Sequence, residues 1–142
     1  MASRSVPASP PRAAGRLFDP GNHGTTFGGN PVAAAAALTV LDVIGEDGFL
    51  GRVTEAGERL SAAAAADPRV VETRGAGLLV GLTLAEPKAA EVVTAAQDAG
   101  FIVNAATPER VRMAPPLVLT DADIDAFATA WPGILDAAGV SA

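Results

Sequence analysis

The stretch VVETRGAGLLVGLTL, residues 70–84, decides the fold class. Two short runs rich in Val, Leu and Thr, VVETRG and LLVGLTL, flank Gly75-Ala76-Gly77. Such a pattern predicts two strands joined by a hairpin or another tight connection. The residues before it follow a helical period, so the chain changes from helix to sheet near Val70.

Working outward, FLGRVTEAGERLSAAAAA (49–66) places Phe49, Val53, Ala56, Leu60 and Ala63 at helical spacing. Arg52, Glu55, Glu58 and Arg59 lie mostly off that stripe, and Asp67-Pro68 ends the helix. Downstream, Glu86 to Ala99 is expected to be a helix entered at Pro87 and stopped by Gly100. FIVNAA (101–106) and RVRMAPP (110–116) read as two further strands. Thr120 to Asp123 resembles a helix start with acids at the positive end of the dipole. Ile124, Phe127, Trp131 and Ile134 then form an apolar stripe, which Pro132 is expected to kink or divide. The result is an α+β layout: a β-β-α-β-β-α unit whose small sheet is covered by helices on one face, with a helical arm before it.

That arm begins in LFDPGNHGTTFGGNP (17–31), where Gly21, Gly24, Gly28 and Gly29 exclude regular structure. Asn30-Pro31 predicts a helix start, with Asn as N-cap and Pro at the first helical position. VAAAAALTVLDVI is apolar nearly all round and is therefore expected to be a helix buried on most sides. Gly45 or Gly48 interrupts it. The domain expectation is a disordered basic Ser/Pro-rich tail over 1–16, a loop over 17–31, a helical arm over 32–66 and a small α+β domain over 67–142.

Composition excludes several classes of function. The 142 residues are 49% apolar and 18% charged, enough to bury a core. There is no cysteine, so disulfides and thiolate chemistry are ruled out. The lone histidine, His23, offers no His-rich metal spacing, and no metal site is expected. A net charge of −6 argues against nucleic acid. No apolar run reaches the roughly 20 residues needed to span a bilayer, and the basic start lacks the apolar stretch of a secretory signal. The expected location is cytoplasmic. There is one lysine, Lys88, so chemistry that requires a lysine must use it or borrow one from another chain.

Two places carry candidate chemistry. In GNHGTTFGGNP the adjacent hydroxyls of Thr25 and Thr26, set among glycines, can offer O–H and N–H donors to a phosphate; the plainer reading is a glycine-rich connection ending in a helix cap. Arg112 lies in an otherwise apolar strand, where a guanidinium needs a partner. That partner is a bound carboxylate or a structural acid of the chain. Arg110, nearer the strand end on the same face, reads as a solvated charge, and Arg74 as a hairpin charge. His23 reads as a loop histidine bonded to its neighbours rather than an acid or base. Asp121, Asp123 and Asp125 read as helix-start acids rather than metal ligands.

HGTTFGGNPVAAAAALTVLDVI resembles the class III pyridoxal-phosphate aminotransferases, in which a His-Gly-Ser/Thr-Thr-Phe/Tyr-Gly-Gly-Asn-Pro loop precedes an alanine-rich helix. TRGAGLLVGLTL and DAGFIVNAATPERVRMAPPLVLT follow in the order and spacing of that family, so the likeness covers residues 17 to about 138. The acetylornithine type is nearest, with the ornithine and succinyldiaminopimelate types close behind. The resemblance implies the C-terminal small domain of a fold-type I enzyme that moves the amino group of N-acetylornithine to 2-oxoglutarate, a step of arginine biosynthesis. The implied cofactor is pyridoxal 5′-phosphate, and the implied assembly is a homodimer. It implies that Thr25 and Thr26 bind the cofactor phosphate in the partner subunit's site, that Arg112 receives the substrate α-carboxylate, and that Asn30 and Pro31 are structural.

The family's chemistry needs these residue types. The cofactor ring is an electron sink, a Schiff-base lysine carries it and moves the α-proton, and phosphate and carboxylate anchors hold the reacting carbon in place. The chain departs from the family at the lysine. Its relatives carry the Schiff-base lysine, the acid facing the pyridine nitrogen and the ring-stacking aromatic in a large domain ahead of this loop. Lys88, in EPKAAE, matches no such motif and is assigned no role, so no catalytic residue is assigned. The expectation is a C-terminal portion that is inactive alone, whether from truncation or from a shifted reading frame. Two alternatives remain: a free-standing small domain that pairs with a full-length aminotransferase as a pseudo-subunit, and a remnant that folds poorly because its alanine-rich helix is uncovered.

Overall fold

A computed structural model describes residue 24 and residues 26–141. These residues fall into two units that divide between Val43 and Ile44. The expected tail over 1–16, together with His23 and Thr25, lies outside the described residues.

The first unit is a glycine turn followed by helix α1 (Pro31–Ile44). Its start follows from the sequence. Asn30 Oδ1 accepts the Ala33 N–H at 3.0 Å, and Asn30 Nδ2 donates to the Phe27 carbonyl at 2.7 Å. Pro31, at the first helical position, forfeits only an N–H that would have no helical partner. Gly29 turns the chain at φ +74°, a region that favours glycine. The expectation of burial on most sides is not met, because α1 has no buried residue. Val32 is 80% exposed and Leu41 62%. An apolar composition makes burial favourable, but burial also requires a complementary surface, which composition alone does not supply.

The second unit holds α2 (Phe49–Ala65), β1 (Val70–Ala76), β2 (Leu79–Leu84), α3 (Ala89–Asp98), β3 (Asn104–Thr107), β4 (Arg110–Met113) and α4 (Asp121–Ala137). The strands form one antiparallel sheet in the order β1-β2-β4-β3. α2 and α3 pack on the sheet, and α4 packs on both helices. Val80, Leu82, Leu84, Val111 and Met113 point into the core by the alternation of a half-buried strand. Opposite them, α4 supplies Ile124, Phe127, Trp131, Ile134 and Leu135. The α2 stripe is Phe49, Val53, Gly57, Leu60 and Ala64. Gly57 belongs to it because a Cβ there would lie 2.0 Å from the Gly77 carbonyl oxygen, so the helix meets the hairpin backbone directly.

Three expectations change at element ends. α3 begins at Ala89 rather than near Glu86, because the N–H groups of Leu84, Ala85 and Ala89 donate to the carbonyls of Glu109, Arg69 and Pro108. Phe101 to Val103 do not extend β3. Phe101 N–H closes a Schellman turn on the Ala96 carbonyl and Gly100 N–H bonds that of Gln97, with Gly100 at φ +88°. The Phe101 ring then packs edge-on against Phe127, centroids 5.7 Å apart. Pro132 does not divide α4. Buried residues on both sides hold the helix, and Arg69 donates to the Pro132 carbonyl at 3.1 Å.

Candidate functional site

The outer face of the sheet, turned away from the helices, is polar. The four strands contain a single acid, Glu72, and three bases, Arg74, Arg110 and Arg112. Antiparallel register sets them in two rows. Glu72 pairs with Thr83 and Thr83 with Arg110; Arg74 pairs with Gly81, Gly81 with Arg112, and Arg112 with Asn104.

Glu72, in the first row, accepts from Nε of Arg74, in the second, at 2.7 Å. Thr83 Oγ1 donates to Glu72 Oε2 at 3.3 Å and accepts from the Arg110 guanidinium at 3.2–3.3 Å. Arg110 itself lies 3.7 Å from Glu72. The Arg74 guanidinium holds the Glu72 carboxyl below its usual range, and Thr83 and Arg110 add to that effect. Arg110 is therefore not the solvated charge expected of it. It is partly buried and joined to the acid, because the register brings Thr83 directly opposite. Its partners lie on two other strands, so only the pairing of those strands identifies them.

Arg112 stands in contrast. It is exposed on the same face, and its side chain makes no ion pair or hydrogen bond to a described residue. Of the two readings for it, the structural ion pair is absent among the described residues. A guanidinium in this position can take an incoming carboxylate through two parallel hydrogen bonds.

The glycine loop lies in the other unit. Thr26 is exposed and makes no hydrogen bond to another described residue, and the space beside Gly24 is open for 4 Å. The first turn of α1 holds no acid. A hydroxyl donor among glycines before an unneutralised helix start suits a phosphate. Among the described residues no lysine is free to meet an aldehyde. Lys88 donates from Nζ to the Gly139 carbonyl and pairs with Glu86 at 3.2 Å, which fastens the C-terminal turn.

The aspartates at 121–125 are accounted for by the fold. Asp123 and Thr120 form a reciprocal capping box. Asp121 and Asp125 pair with Arg59 of α2 at 2.5 and 2.6 Å. Among the described residues there is no group of three or more potential metal ligands, and no helix long and apolar enough to cross a membrane.

Comparison with known proteins agrees with the resemblance read from the loop. The family model "Aminotransferase class-III" matches residues 8–135. The acetylornithine aminotransferase of Streptomyces coelicolor is 53% identical over 89% of this chain and 32% of its own length. That of Mycobacterium leprae is 48% identical over 87% of this chain and 31% of its own. The chain thus spans about a third of the length of the curated relatives it matches. Among solved structures, the N-acetylornithine aminotransferase of Stenotrophomonas maltophilia superposes with a TM-score of 0.71 at 25% identity, over 77% of this chain and 32% of that one. The lysine aminotransferase of M. tuberculosis gives 0.71 at 30% identity, over 84% and 29%.

Proposed function

The chain belongs to the class III aminotransferase family, and on that premise we propose that it forms the C-terminal small domain and phosphate loop of a fold-type I enzyme of the acetylornithine type. That enzyme passes the amino group of N-acetylornithine to 2-oxoglutarate, in the cytoplasm, as part of arginine biosynthesis. The observation that carries the reading is Arg112, the one strand arginine whose side chain has no partner among the described residues, on the open face of a sheet that otherwise pairs its charges. Relatives bearing the acetylornithine name at 47–53% identity support the choice of amino donor over the ornithine and succinyldiaminopimelate alternatives.

In this reading Arg112 binds the substrate α-carboxylate with two parallel N–H donors and fixes the orientation of the α-carbon. Thr25 and Thr26 donate to the phosphate of pyridoxal 5′-phosphate in the site of a partner subunit. The cofactor, when bound, supplies an electron sink for the carbon that loses its proton. No described residue of this chain is placed to hold or move that proton, because Lys88 is engaged at the C-terminal turn. In this reading the 142 residues alone do not transaminate.

The test is direct. The purified 142-residue chain, given N-acetylornithine, 2-oxoglutarate and pyridoxal phosphate, should form no glutamate and develop no protein-bound visible absorbance. Turnover by the chain alone overturns the reading. A second reading rests on the uncovered helix α1, whose exposed Val32, Leu38 and Leu41 suit association with a full-length aminotransferase subunit. Co-elution of the chain with such a subunit on a sizing column would favour it.

A further inference from the structure

We infer that Arg110 is a positioning residue that keeps Arg112 available by holding Glu72 and by occupying the surface between them. The inference rests on the proposed carboxylate role of Arg112, but its physical content concerns only the charges of the outer sheet face.

Glu72 is the single acid of the four strands and faces a row that runs through Thr83 to Arg110. Arg74 reaches it from β1, Thr83 from β2 and Arg110 from β4. The β3 residues opposite Arg112 and Arg110 are Asn104 and Thr107, both uncharged. Glu109, in the β3–β4 turn, accepts from the Thr107 hydroxyl.

The aliphatic stem of Arg110 does not stand straight up from its strand. It leans diagonally over Gly81, where its Cδ lies 3.4 Å from the position a Cβ would take. Gly81 is the cross-strand neighbour of Arg112, so this stem fills the ground over which Arg112 would lean toward β1. One side chain thus performs two tasks: its guanidinium helps to neutralise the acid, and its stem screens Arg112 from that acid. Without it, Glu72 keeps one arginine partner and gains an open path to a second. With glycine at 81, the stem lies over bare backbone.

The experiment follows the Arg112 side-chain Nε–H resonance of the isotope-labelled full chain. In the parent chain that resonance should stay fixed between pH 3 and 6. In R110A it should move with the titration of Glu72, and in R110A/E72Q it should be fixed again. A resonance that stays fixed in R110A, or one that still moves in the double variant, overturns the inference. R110M, which keeps the stem without the charge, should lie between the parent and R110A, and a response equal to R110A would remove the screening half of the claim.

Titration with 2-oxoglutarate separates this inference from the functional reading. Half-saturation of the Arg112 shift should rise about threefold in R110A, the size of an exposed ion-pair competition, and should recover in R110A/E72Q. No response of Arg112 to 2-oxoglutarate in the parent chain defeats the carboxylate reading, while the pH series still decides whether Arg110 shields Arg112 from Glu72. An equal response in parent and R110A defeats the inference alone.

Discussion

Helices α1 and α2 are neighbours in sequence and opposites in behaviour. α1 is the more apolar, with PVAAAAALTVLDVI carrying a single charge, and none of its residues is buried. α2 carries two arginines and two glutamates, yet it buries Phe49, Val53, Gly57, Leu60 and Ala64. Total hydrophobicity therefore does not identify the helix that joins the core. An apolar stripe with a polar back faces one surface, which the sheet supplies, whereas an all-round apolar helix asks for surfaces on several sides.

Truncating a buried ring and an exposed aliphatic in parallel should separate the core from the uncovered helix. Trp131→Ala should cost about 4 kcal/mol of stability in urea unfolding, since the ring is 1% exposed and stacks on Phe127. Leu41→Ala in α1 should stay within about 0.5 kcal/mol. Equal losses would mean that α1 is as deeply engaged as the core.

Next in size is a pair of glycines within α2. Gly57→Ala forces a methyl group into the Gly77 carbonyl and should cost about 3 kcal/mol. Gly51→Ala, with nothing within 4 Å, should stabilise by about 0.5 kcal/mol through helix propensity. Thermal melting of the two variants should shift in opposite directions.

Arg69 ties the second unit together. It donates to Asp67 at 2.7–2.8 Å, to Asp136 at 2.5 Å and to the carbonyls of Pro132 and Val140. Arg69→Ala should cost about 2 kcal/mol. The Arg69 hydrogen bonds hold the Asp67 carboxyl below its ordinary 3.8. A depressed carboxyl contributes stability that is present above its unfolded value and is lost as pH falls through the lower, folded one. Melting temperature should therefore drop on acidification below about pH 4, and D67N should flatten part of that drop. A steeper acid loss in D67N would contradict the assignment.

The smallest effects come from the two caps. Thr120→Ala removes the capping box of α4 and should lower the unfolding free energy by about 1 kcal/mol. Asn30→Ala removes the cap of α1 and should lower helical circular dichroism while leaving the main unfolding midpoint unchanged. A shift of that midpoint would show that α1 unfolds together with the core.

What was legible in the sequence was local. The caps at Asn30 and Thr120, the glycine stops, the hairpin and the stripe through Ile124, Phe127 and Trp131 depend on residues within a few positions of one another. Phe101 to Val103 misled because β-rich composition does not reveal that a neighbouring helix C-terminus needs the Phe101 N–H. Arg110 misled because its partners, Thr83 and Glu72, are 27 and 38 residues away and lie on other strands. Arg112 could be singled out as a charge in an apolar strand, but whether it had a protein partner was not readable.

By itself the sequence determined the order of helices and strands, the direction each amphipathic element would face and the family to which the chain belongs. These follow from backbone propensity, side-chain period and motif, all of which act along the chain. The tertiary structure alone decided which arginine would be paired and which left open, and that the most apolar helix would bury nothing. Both outcomes are set by strand register and by the presence of an opposing surface, and these exist only once distant segments meet.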